Sequence, residues 1–154
     1  MTLQSPTSFT RALPDQQSTE VFGQTLAVHL RAGDMILLSG EIGAGKSTFA
    51  RAMIRQLQGA DIDVPSPTFT LVQTYDDGPV PIWHADLYRL SHAEDVIELG
   101  LLDAADTAIV LIEWPERVGL QWPGSPLYLK FALQGDGRLV MISGNARLMS
   151  VCRA

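Results

Sequence analysis

The stretch Gly40-Glu41-Ile42-Gly43-Ala44-Gly45-Lys46-Ser47 fits the pattern G-x-x-x-x-G-K-[ST], which is typical of phosphate-binding loops. Its glycines let the backbone curl without Cβ clashes, so that backbone N–H groups can point inward toward phosphate oxygens. At these positions of the pattern, Lys46 reaches the β- and γ-phosphates and the Ser47 hydroxyl ligates Mg²⁺. The stretch therefore predicts a bound nucleoside triphosphate with its magnesium ion.

The segments on either side of this loop have the structure that the pattern requires. Met35-Ile36-Leu37-Leu38 is an apolar run typical of a buried strand. After the loop, Phe49, Met53 and Leu57 recur at helical spacing on one face. The resulting helix directs the positive end of its dipole toward a bound anion. This order of strand, glycine loop and helix distinguishes the motif from a chance glycine-rich turn.

The composition is that of one soluble globular domain. The chain has 154 residues, and no apolar run approaches the ~20 residues of a membrane span. Its start lacks the basic and apolar segments of a secretory signal, and its single cysteine, Cys152, excludes an internal disulfide framework. We therefore expect a cytoplasmic protein that makes no contact with membranes.

The net charge of −6 argues against direct, strong binding of RNA or DNA, because nucleic-acid binders neutralise phosphates with clustered lysine and arginine. Only 11 such residues are present, and they form no dense run. An acidic chain suits docking onto a basic protein partner as well as simple solubility. The sequence gives no indication of the oligomeric state.

The predicted elements alternate between strands and helices. We predict an edge strand at 8–13 and a helix at 18–31, which Ser18 or Thr19 caps and Gly33 stops. Turn residues between alternating segments indicate two β-hairpins. Their strands are 68–75 with 80–87, and 127–133 with 138–143.

A further helix at 91–99 begins at a capping box of Ser91 and Glu94, and a second buried strand covers 107–112. Antiparallel strands placed directly after the first P-loop helix depart from a simple β-α-β alternation. We therefore predict an α/β fold: a single P-loop nucleotidase-like domain over residues 1–154, with three layers and a mixed β-sheet with antiparallel hairpin additions. Residues 1–6 and 145–154 are its expected flexible ends.

An acidic residue, Glu113, ends the apolar run at 108–112. P-loop nucleotidases place an acid at such a strand end, where it holds Mg²⁺ through water or orients the attacking water. The alternative is a strand that simply exits into solvent, but the phosphate loop favours the functional role. The adjacent Trp114 fits two roles equally well, at the site or in the core.

A second polar segment ends the second strand of the first hairpin. Alternation along that strand places His84, Asp86 and Tyr88 on one side. These side chains form a buried hydrogen-bond network, or else Asp86 assists Mg²⁺ with His84 and Arg89 near phosphates or a partner. Thr68, in a proline-stiffened turn, either approaches the γ-phosphate or only leads into a strand.

Taken together, these motifs resemble a known family. Five segments occur in the family's order: G-E-I-G-A-G-K-S-T, V-P-S-P-T-F-T, H-A-D-L-Y-R, E-L-G and I-E-W-P-E. The chain is similar over residues 18–133 to the bacterial TsaE (YjeE) family, small ATPases needed for threonylcarbamoyladenosine modification of tRNA. The phosphate loop alone is unspecific, whereas the H-x-D-x-Y-R and I-E-W-P-E segments together are highly specific.

The resemblance implies that the chain binds ATP and Mg²⁺ and that its hydrolysis is weak without two partner proteins, TsaB and TsaD. It also implies that tRNA is met only indirectly, through that complex. The implied catalytic residues are Lys46, Glu113 and Asp86, and the implied metal ligands are Ser47, Glu113 and Asp86. The implied nucleotide-binding residues are Glu41, Ile42, Gly43, Ala44, Gly45, Lys46, Ser47, Thr48 and Trp114.

Two other functions stay open from the residues alone. The first is a small P-loop kinase, which usually needs an arginine-bearing lid over the phosphates. Residues 115–126, with Arg117 among prolines and glycines, make a poor lid. The second is a nucleotide-sensing interaction module that binds ATP without useful hydrolysis. No guanine-specifying N-K-x-D stretch is present, which favours ATP over GTP in each case.

Overall fold

The computed structural model describes residues 8–153, so the expected flexible segment 1–6 lies outside the described residues. In this part of the chain, seven strands form one sheet. They are β1 Phe9–Leu13, β2 Met35–Gly40, β3 Val72–Tyr75, β4 Ile82–Asp86, β5 Ile109–Glu113, β6 Leu127–Gln134 and β7 Gly137–Gly144. The helices are α1 Gln16–Ala27, α2 Lys46–Gln58, α3 Ala93–Glu98, α4 Leu101–Ala104 and α5 Ala146–Arg153, and a 3-10 turn covers Pro115–Val118.

The strand order β1-β7-β6-β2-β5-β4-β3 puts β2 at the centre of the sheet. Strands β4, β5, β2 and β6 run parallel to one another. Strands β3, β7 and β1 add antiparallel, and β1 lies at an edge as predicted. Both predicted hairpins are confirmed, as β3–β4 and β6–β7. The sheet is therefore mixed, with antiparallel hairpin additions on either side of a parallel centre.

The sheet separates two apolar cores, which makes the fold three-layered. Ile36 and Leu38 of β2 belong to the core that includes buried residues of α1, α2 and α5. Met35 and Leu37 belong to the opposite core, with buried residues of α3 and α4. Side chains of a strand point alternately to the two faces, so an uninterrupted apolar run marks a strand that is covered on both sides. The predicted three-layer α/β domain is confirmed.

Helix α1 differs from its prediction at both ends. Its N-cap is Asp15, whose carboxylate accepts hydrogen bonds from the N–H of Ser18 at 2.8 Å and from the Ser18 hydroxyl. The predicted caps Ser18 and Thr19 therefore lie inside the helix. The helix ends at Ala27, and Gly33 instead sits with φ of 98° in the turn that precedes β2.

The predicted capping box of Ser91 and Glu94 is wrong. Helix α3 begins only at Ala93, and its N-cap is His92, which makes no side-chain hydrogen bond to the helix. Glu94 and Asp95 lie in the first turn, where negative charge is favourable near the helix N-terminus. The helix start therefore has no reciprocal cap, and Val96 of the same helix is buried.

Strand β3 begins at Val72 because the preceding residues form a turn. The N–H of Leu71 donates to the carbonyl oxygen of Pro67 at 2.7 Å, and Leu71 has φ of 69°. The carbonyl oxygen of Leu71 then accepts from the N–H of Asp86, at the end of β4, at 2.9 Å. This bond holds the turn, and with it Thr68, beside the end of β4.

The chain continues after β7 into helix α5, where the sequence predicts no element and a flexible end. The helix lies against the core of α1 and α2 through Leu148, Met149 and Cys152, which are all buried. The Arg11 guanidinium donates to the backbone oxygen of Cys152 at 3.1 Å. Burial raises the pKa of the Cys152 thiol to about 11. Packed side chains thus fix this segment to the domain.

Candidate functional site

The predicted site residues meet at one edge of the sheet. In the parallel pairing, Leu38 of β2 lies opposite Glu113 of β5, and Glu113 lies opposite Asp86 of β4. The glycine loop starts at Gly40, the last residue of β2. Ligands of open α/β sheets bind outside the carboxyl ends of the strands, which is where these groups lie. The sheet register therefore assembles the loop and both predicted acids.

Glycine is required in the loop for two different reasons. Gly40, Gly43 and Gly45 have φ values of 128°, 83° and 110°, a region that favours glycine. At Gly40 there is also no room, because a Cβ would lie 2.2 Å from the carbonyl oxygen of Phe131 on β6. Gly45 is the N-cap of α2, and no side chain caps that helix. The free N–H groups of its first turn are therefore available to an anion.

Lys46 is buried at the start of α2, with 5% of its surface exposed. Its ammonium donates to the backbone oxygens of Gly40 and of Glu41, the latter at 3.1 Å. It also lies 4.1 Å from the centre of the Trp114 ring, within cation–π range. Burial lowers the pKa of Lys46, and the nearby Glu113 carboxylate opposes this effect. The loop thus holds a desolvated cation in place.

Ser47, Glu113 and His84 form a continuous hydrogen-bonded row. The Ser47 hydroxyl donates to Oε1 of Glu113 at 3.1 Å. Oε2 of Glu113 lies 2.7 Å from Nε2 of His84. Because a hydroxyl that donates its proton to a carboxylate keeps its lone pairs, Ser47 remains free to ligate a cation. The acid at the end of β5 is therefore joined to the loop and does not exit into solvent.

Asp86 accepts hydrogen bonds at both carboxylate oxygens. The hydroxyl of Thr68 donates to Oδ2 at 3.2 Å, and the backbone N–H of Tyr88 donates to Oδ1 at 2.9 Å. The same Thr68 hydroxyl lies 2.7 Å from that of Ser66. The structure thus places Thr68 at the site, and the polar residues of the second segment split into two networks. His84 bonds to Glu113, whereas Asp86 bonds to the turn before β3.

Trp114 lies at the site rather than in the centre of a core. It follows β5 with φ of 60°, a left-handed conformation that is costly for a residue with a Cβ. Its ring packs edge-on against that of Tyr88, with 4.9 Å between ring centres, and covers the ammonium of Lys46. Trp114 therefore forms one wall of the site.

A cavity of about 620 Å³ opens between these groups. Of the predicted site residues, those that line it are Ile42, Gly43, Gly45, Lys46, Ser47, Thr48, Asp86, Glu113 and Trp114. Two predicted residues are not brought to it: Glu41 is exposed and reaches the site only through its backbone oxygen, and Ala44 is buried in the core. A cavity of this size suits a nucleotide-sized ligand.

The far wall of the cavity, on the β6–β7 side, comes from residues that no motif of the sequence marks. Asp15, Gln16 and Thr19 at the start of α1 line the cavity, and so do Asp136 of the β6–β7 turn and Arg138 at the start of β7, on the side of β2 away from β4 and β5. The Arg138 guanidinium donates from Nε to the carbonyl oxygen of Gly43 at 3.1 Å. This contact joins residues 95 positions apart, and no local pattern marks it.

Arg89, a candidate for the phosphates, is not brought to the cavity. Its guanidinium lies 5.3 Å from the centre of the Phe69 ring, and both side chains are exposed. Arg117 likewise packs on the ring of Tyr88 and donates to its backbone oxygen at 3.0 Å. Among the residues that the structure describes, the cations lining the cavity are therefore Lys46 and Arg138.

The donor groups fit a magnesium ion whose coordination shell is completed by phosphate oxygens. No group of three His, Cys, Asp or Glu residues that could hold a metal occurs within residues 8–153. Mg²⁺ in nucleotide sites needs no such cage, because it is bound through one or two carboxylates, water and substrate phosphates. Ser47, Glu113 and Asp86 supply one hydroxyl and two carboxylates beside the loop.

Comparison with known proteins identifies the family. The family model described as "Threonylcarbamoyl adenosine biosynthesis protein TsaE" matches residues 13–140, most of the chain. The chain belongs to the TsaE family. TsaE proteins take part in the biosynthesis of threonylcarbamoyladenosine in tRNA, so the recognition made from the sequence motifs is confirmed.

Individual TsaE proteins match over different lengths, and each is named a tRNA threonylcarbamoyladenosine biosynthesis protein. That of Haemophilus influenzae is 33% identical over 147 residues, with 92% of each chain covered. That of Rickettsia bellii is 39% identical over 126 residues, or 82% of this chain and 88% of the relative. That of Rickettsia felis is 40% identical over 106 residues, and the match spans only 62% of that relative's length.

The fold is also found in a solved structure. The crystal structure of YdiB from Bacillus subtilis superposes with a TM-score of 0.74, covering 95% of this chain and 92% of that chain. At 22% identity, this likeness shows a shared fold. Within residues 8–153, none of the helices combines the length and the apolar character needed to cross a bilayer.

Proposed function

We propose that this TsaE protein binds ATP with Mg²⁺ in the cavity and hydrolyses it as a subunit that works with TsaB and TsaD in the cytoplasm. The single observation that carries the proposal is the bond from the Ser47 hydroxyl to Glu113, beside the buried ammonium of Lys46. A loop serine, a strand-end acid and a lysine in this arrangement are what a Mg-dependent nucleotidase requires.

The two ends of the cavity suggest how the nucleotide lies. Ser47, Asp86 and Glu113 lie together on the β4–β5 side, so we place the metal and the γ-phosphate there. The triphosphate then follows the loop, where backbone N–H groups of the first turn of α2 are free. The base and ribose extend toward the opposite wall, where Asp15 and Arg138 line the cavity. In this pose the residues of the far wall contact the nucleoside.

In the proposed reaction, a water oxygen bonds to the γ-phosphorus while the bond to the β–γ bridging oxygen breaks, and ADP, phosphate and a proton are released. Bound Mg²⁺ would neutralise charge that develops on the phosphate oxygens. The Lys46 ammonium stabilises the same charge from the loop side. Glu113 has lone pairs left on both oxygens after its two hydrogen bonds, and it orients the attacking water or a metal-bound water.

The partner requirement is supported by the positions of the described arginines, none of which lies beside Ser47 and Glu113 in the cavity. Nucleotidases that hydrolyse quickly place an arginine on the γ-phosphate, from their own chain or from a partner. Arg89 and Arg117 lie outside the cavity. Arg138 bonds to Gly43 at the far wall, where we place the base. Hydrolysis by the chain alone is therefore expected to be slow, and a partner protein can supply the missing stabilisation. tRNA is then reached only through the complex.

A kinase function is disfavoured by the segment that follows Trp114. Residues 115–118 form a 3-10 turn, and its arginine, Arg117, is held on Tyr88 instead of over the phosphates. No described residue of 115–126 lines the cavity. A lid that closes over an acceptor substrate would need such residues.

Phosphate release from ATP tests the proposal, measured for the chain alone, with TsaB and TsaD, and with EDTA. We expect slow release alone, faster release with both partners, and loss of release with EDTA. Phosphorylation of an added small-molecule acceptor, with no free phosphate released when the acceptor is absent, would instead indicate a kinase. Undetectable multiple turnover with both partners, despite ATP binding, would indicate a nucleotide-sensing module.

A further inference from the structure

Two titratable side chains are buried against each other next to the cavity. His84 on β4 and Glu113 on β5 are each 2% exposed, and their Nε2 and Oε2 atoms are 2.7 Å apart. Only the glutamate lines the cavity, so the imidazole lies behind it, away from the ligand. The histidine therefore contacts the proposed catalytic acid from the protein side.

The bond to His84 completes the set of donors to Glu113. Oε1 accepts from the Ser47 hydroxyl at 3.1 Å, and Oε2 is left for the imidazole. A carboxylate bonded at both oxygens cannot rotate about its terminal torsion without breaking a hydrogen bond. A buried carboxylate oxygen without a donor is costly, so loss of the imidazole would favour rotation of the acid toward water or another donor.

The same contact determines which ring nitrogen carries the proton. A carboxylate only accepts hydrogen bonds, so Nε2 of His84 must be the donor. Nδ1 is buried and has no hydrogen-bond partner among the described residues. Of the two ring nitrogens, it is therefore Nε2 that has a partner for an N–H donor.

We propose that His84 is a positioning residue: through Nε2–H it fixes the Glu113 carboxylate in the orientation that serves the loop serine and the attacking water. The role in hydrolysis rests on the proposed function, whereas the orientation of Glu113 does not. Hydrogen-bond partners behind metal-site and catalytic ligands typically contribute about 10- to 100-fold to metal affinity or activity.

Two matched substitutions isolate the hydrogen bond in steady-state ATP hydrolysis with TsaB and TsaD. His84→Gln keeps an N–H donor on an unbranched side chain, and His84→Met has a similar shape without the donor. We expect His84→Met to lower kcat about 10- to 100-fold with little change in KM for MgATP, and His84→Gln to recover most of the loss. Equal kcat values in the two variants, both folded by circular dichroism, would overturn the role in hydrolysis.

A second measurement needs neither hydrolysis nor a variant of His84 that folds. Nitrogen chemical shifts of the imidazoles in ¹⁵N-labelled protein without nucleotide report which nitrogen is protonated. The buried ring is distinguished from the exposed His29 and His92 by its protected N–H. We expect Nε2 of His84 to carry a proton, with the signals of the ring changed in Glu113→Gln. A ring without a proton on Nε2, or signals unaffected by Glu113→Gln, would overturn the positioning role. If wild-type protein fails to hydrolyse ATP while these signals are as expected, the proposed function fails and the positioning of Glu113 stands.

Discussion

The hydroxyl of Ser47 donates a hydrogen bond to Oε1 of Glu113 at 3.1 Å, across 66 positions of the chain. Ser47 lies in the first turn of α2 and Glu113 at the end of β5, so the bond joins the glycine loop to the neighbouring strand. Glu113 also lies opposite Asp86 in the sheet. One hydrogen bond and one strand register thus place a hydroxyl and two carboxylates beside the loop.

Glu113→Gln should separate binding from turnover. The amide keeps the volume of the side chain but has only one acceptor oxygen, so it cannot accept from Ser47 and His84 while also orienting water. We expect MgATP affinity to stay within a few-fold in calorimetric titration and the hydrolysis rate to fall about 100-fold or more. Glu94→Gln is the matched control, since Glu94 is exposed and lies outside the cavity wall. Normal turnover in the Glu113 variant would remove this residue from the catalytic role.

Lys46→Ala should weaken MgATP binding. The ammonium now bonds to the loop carbonyls of Gly40 and Glu41, and we expect it to exchange these for phosphate oxygens when ATP binds. Losing a hydrogen bond to a charged group costs about 1.5–3 kcal/mol, which is roughly 10- to 150-fold in Kd. Calorimetric titration measures this change. Lys130→Ala, at an exposed position of β6 outside the cavity, should bind MgATP like the wild type. Equal affinities of all three proteins would show that the nucleotide does not bind at Lys46.

Gly40→Ala and Gly43→Ala should differ in stability. Both residues have positive φ, which costs about 1–2 kcal/mol for a residue with a Cβ. A Cβ at Gly40 also lies 2.2 Å from the backbone oxygen of Phe131, whereas a Cβ at Gly43 meets nothing within 4 Å. The free energy of unfolding in urea should therefore fall clearly further for Gly40→Ala. Equal losses would mean that the clash with β6 is relieved by a backbone shift.

Leu148→Ala should destabilise the domain although it lies in the last helix. The side chain is fully buried against the core that α1 and α2 share, and truncating a buried leucine costs about 2–5 kcal/mol. Chemical denaturation measures the loss. Ser150→Ala, on the exposed face of the same helix, is the control and should change the stability by less than about 0.5 kcal/mol. A loss no larger than that of the control would show that α5 is not part of the cooperative fold.

The centre of the fold could be predicted because its signals are local. The apolar run of β2, the glycine loop and the periodicity of α2 follow one another without interruption, so one motif determines three elements. The buried run of β5 likewise places Glu113 at a strand end. Parallel neighbours bring their carboxyl ends to the same edge, which is why the predicted acids and the loop meet there.

Several helix and strand ends could not be read from local preferences. Asp15, Ser18 and Thr19 are all good N-caps, and burial of one face of α1 decides among them in favour of Asp15. The segment before Val72 has the composition of a strand, but its backbone bonds go to a turn that Pro67 begins. In both places the tertiary structure chooses between local conformations of similar free energy.

The far wall of the cavity could not be predicted because it depends on long-range contacts. Arg138 follows a hairpin turn that has no motif, and it reaches the loop at Gly43 only because β6 lies next to β2. The start of α1 is brought to the same wall by packing of α1 on α2. Spacing along the chain carries no information about either contact.

A crystal structure of the protein with Mg²⁺ and a non-hydrolysable ATP analogue tests the central claim most directly. We predict the β-phosphate inside the loop of residues 40–47, Oγ of Ser47 about 2.0–2.1 Å from the metal, and Glu113 on the metal or on one of its waters. The base should lie toward Arg138. A nucleotide bound outside this loop, or a magnesium ion held without Ser47, would contradict the account.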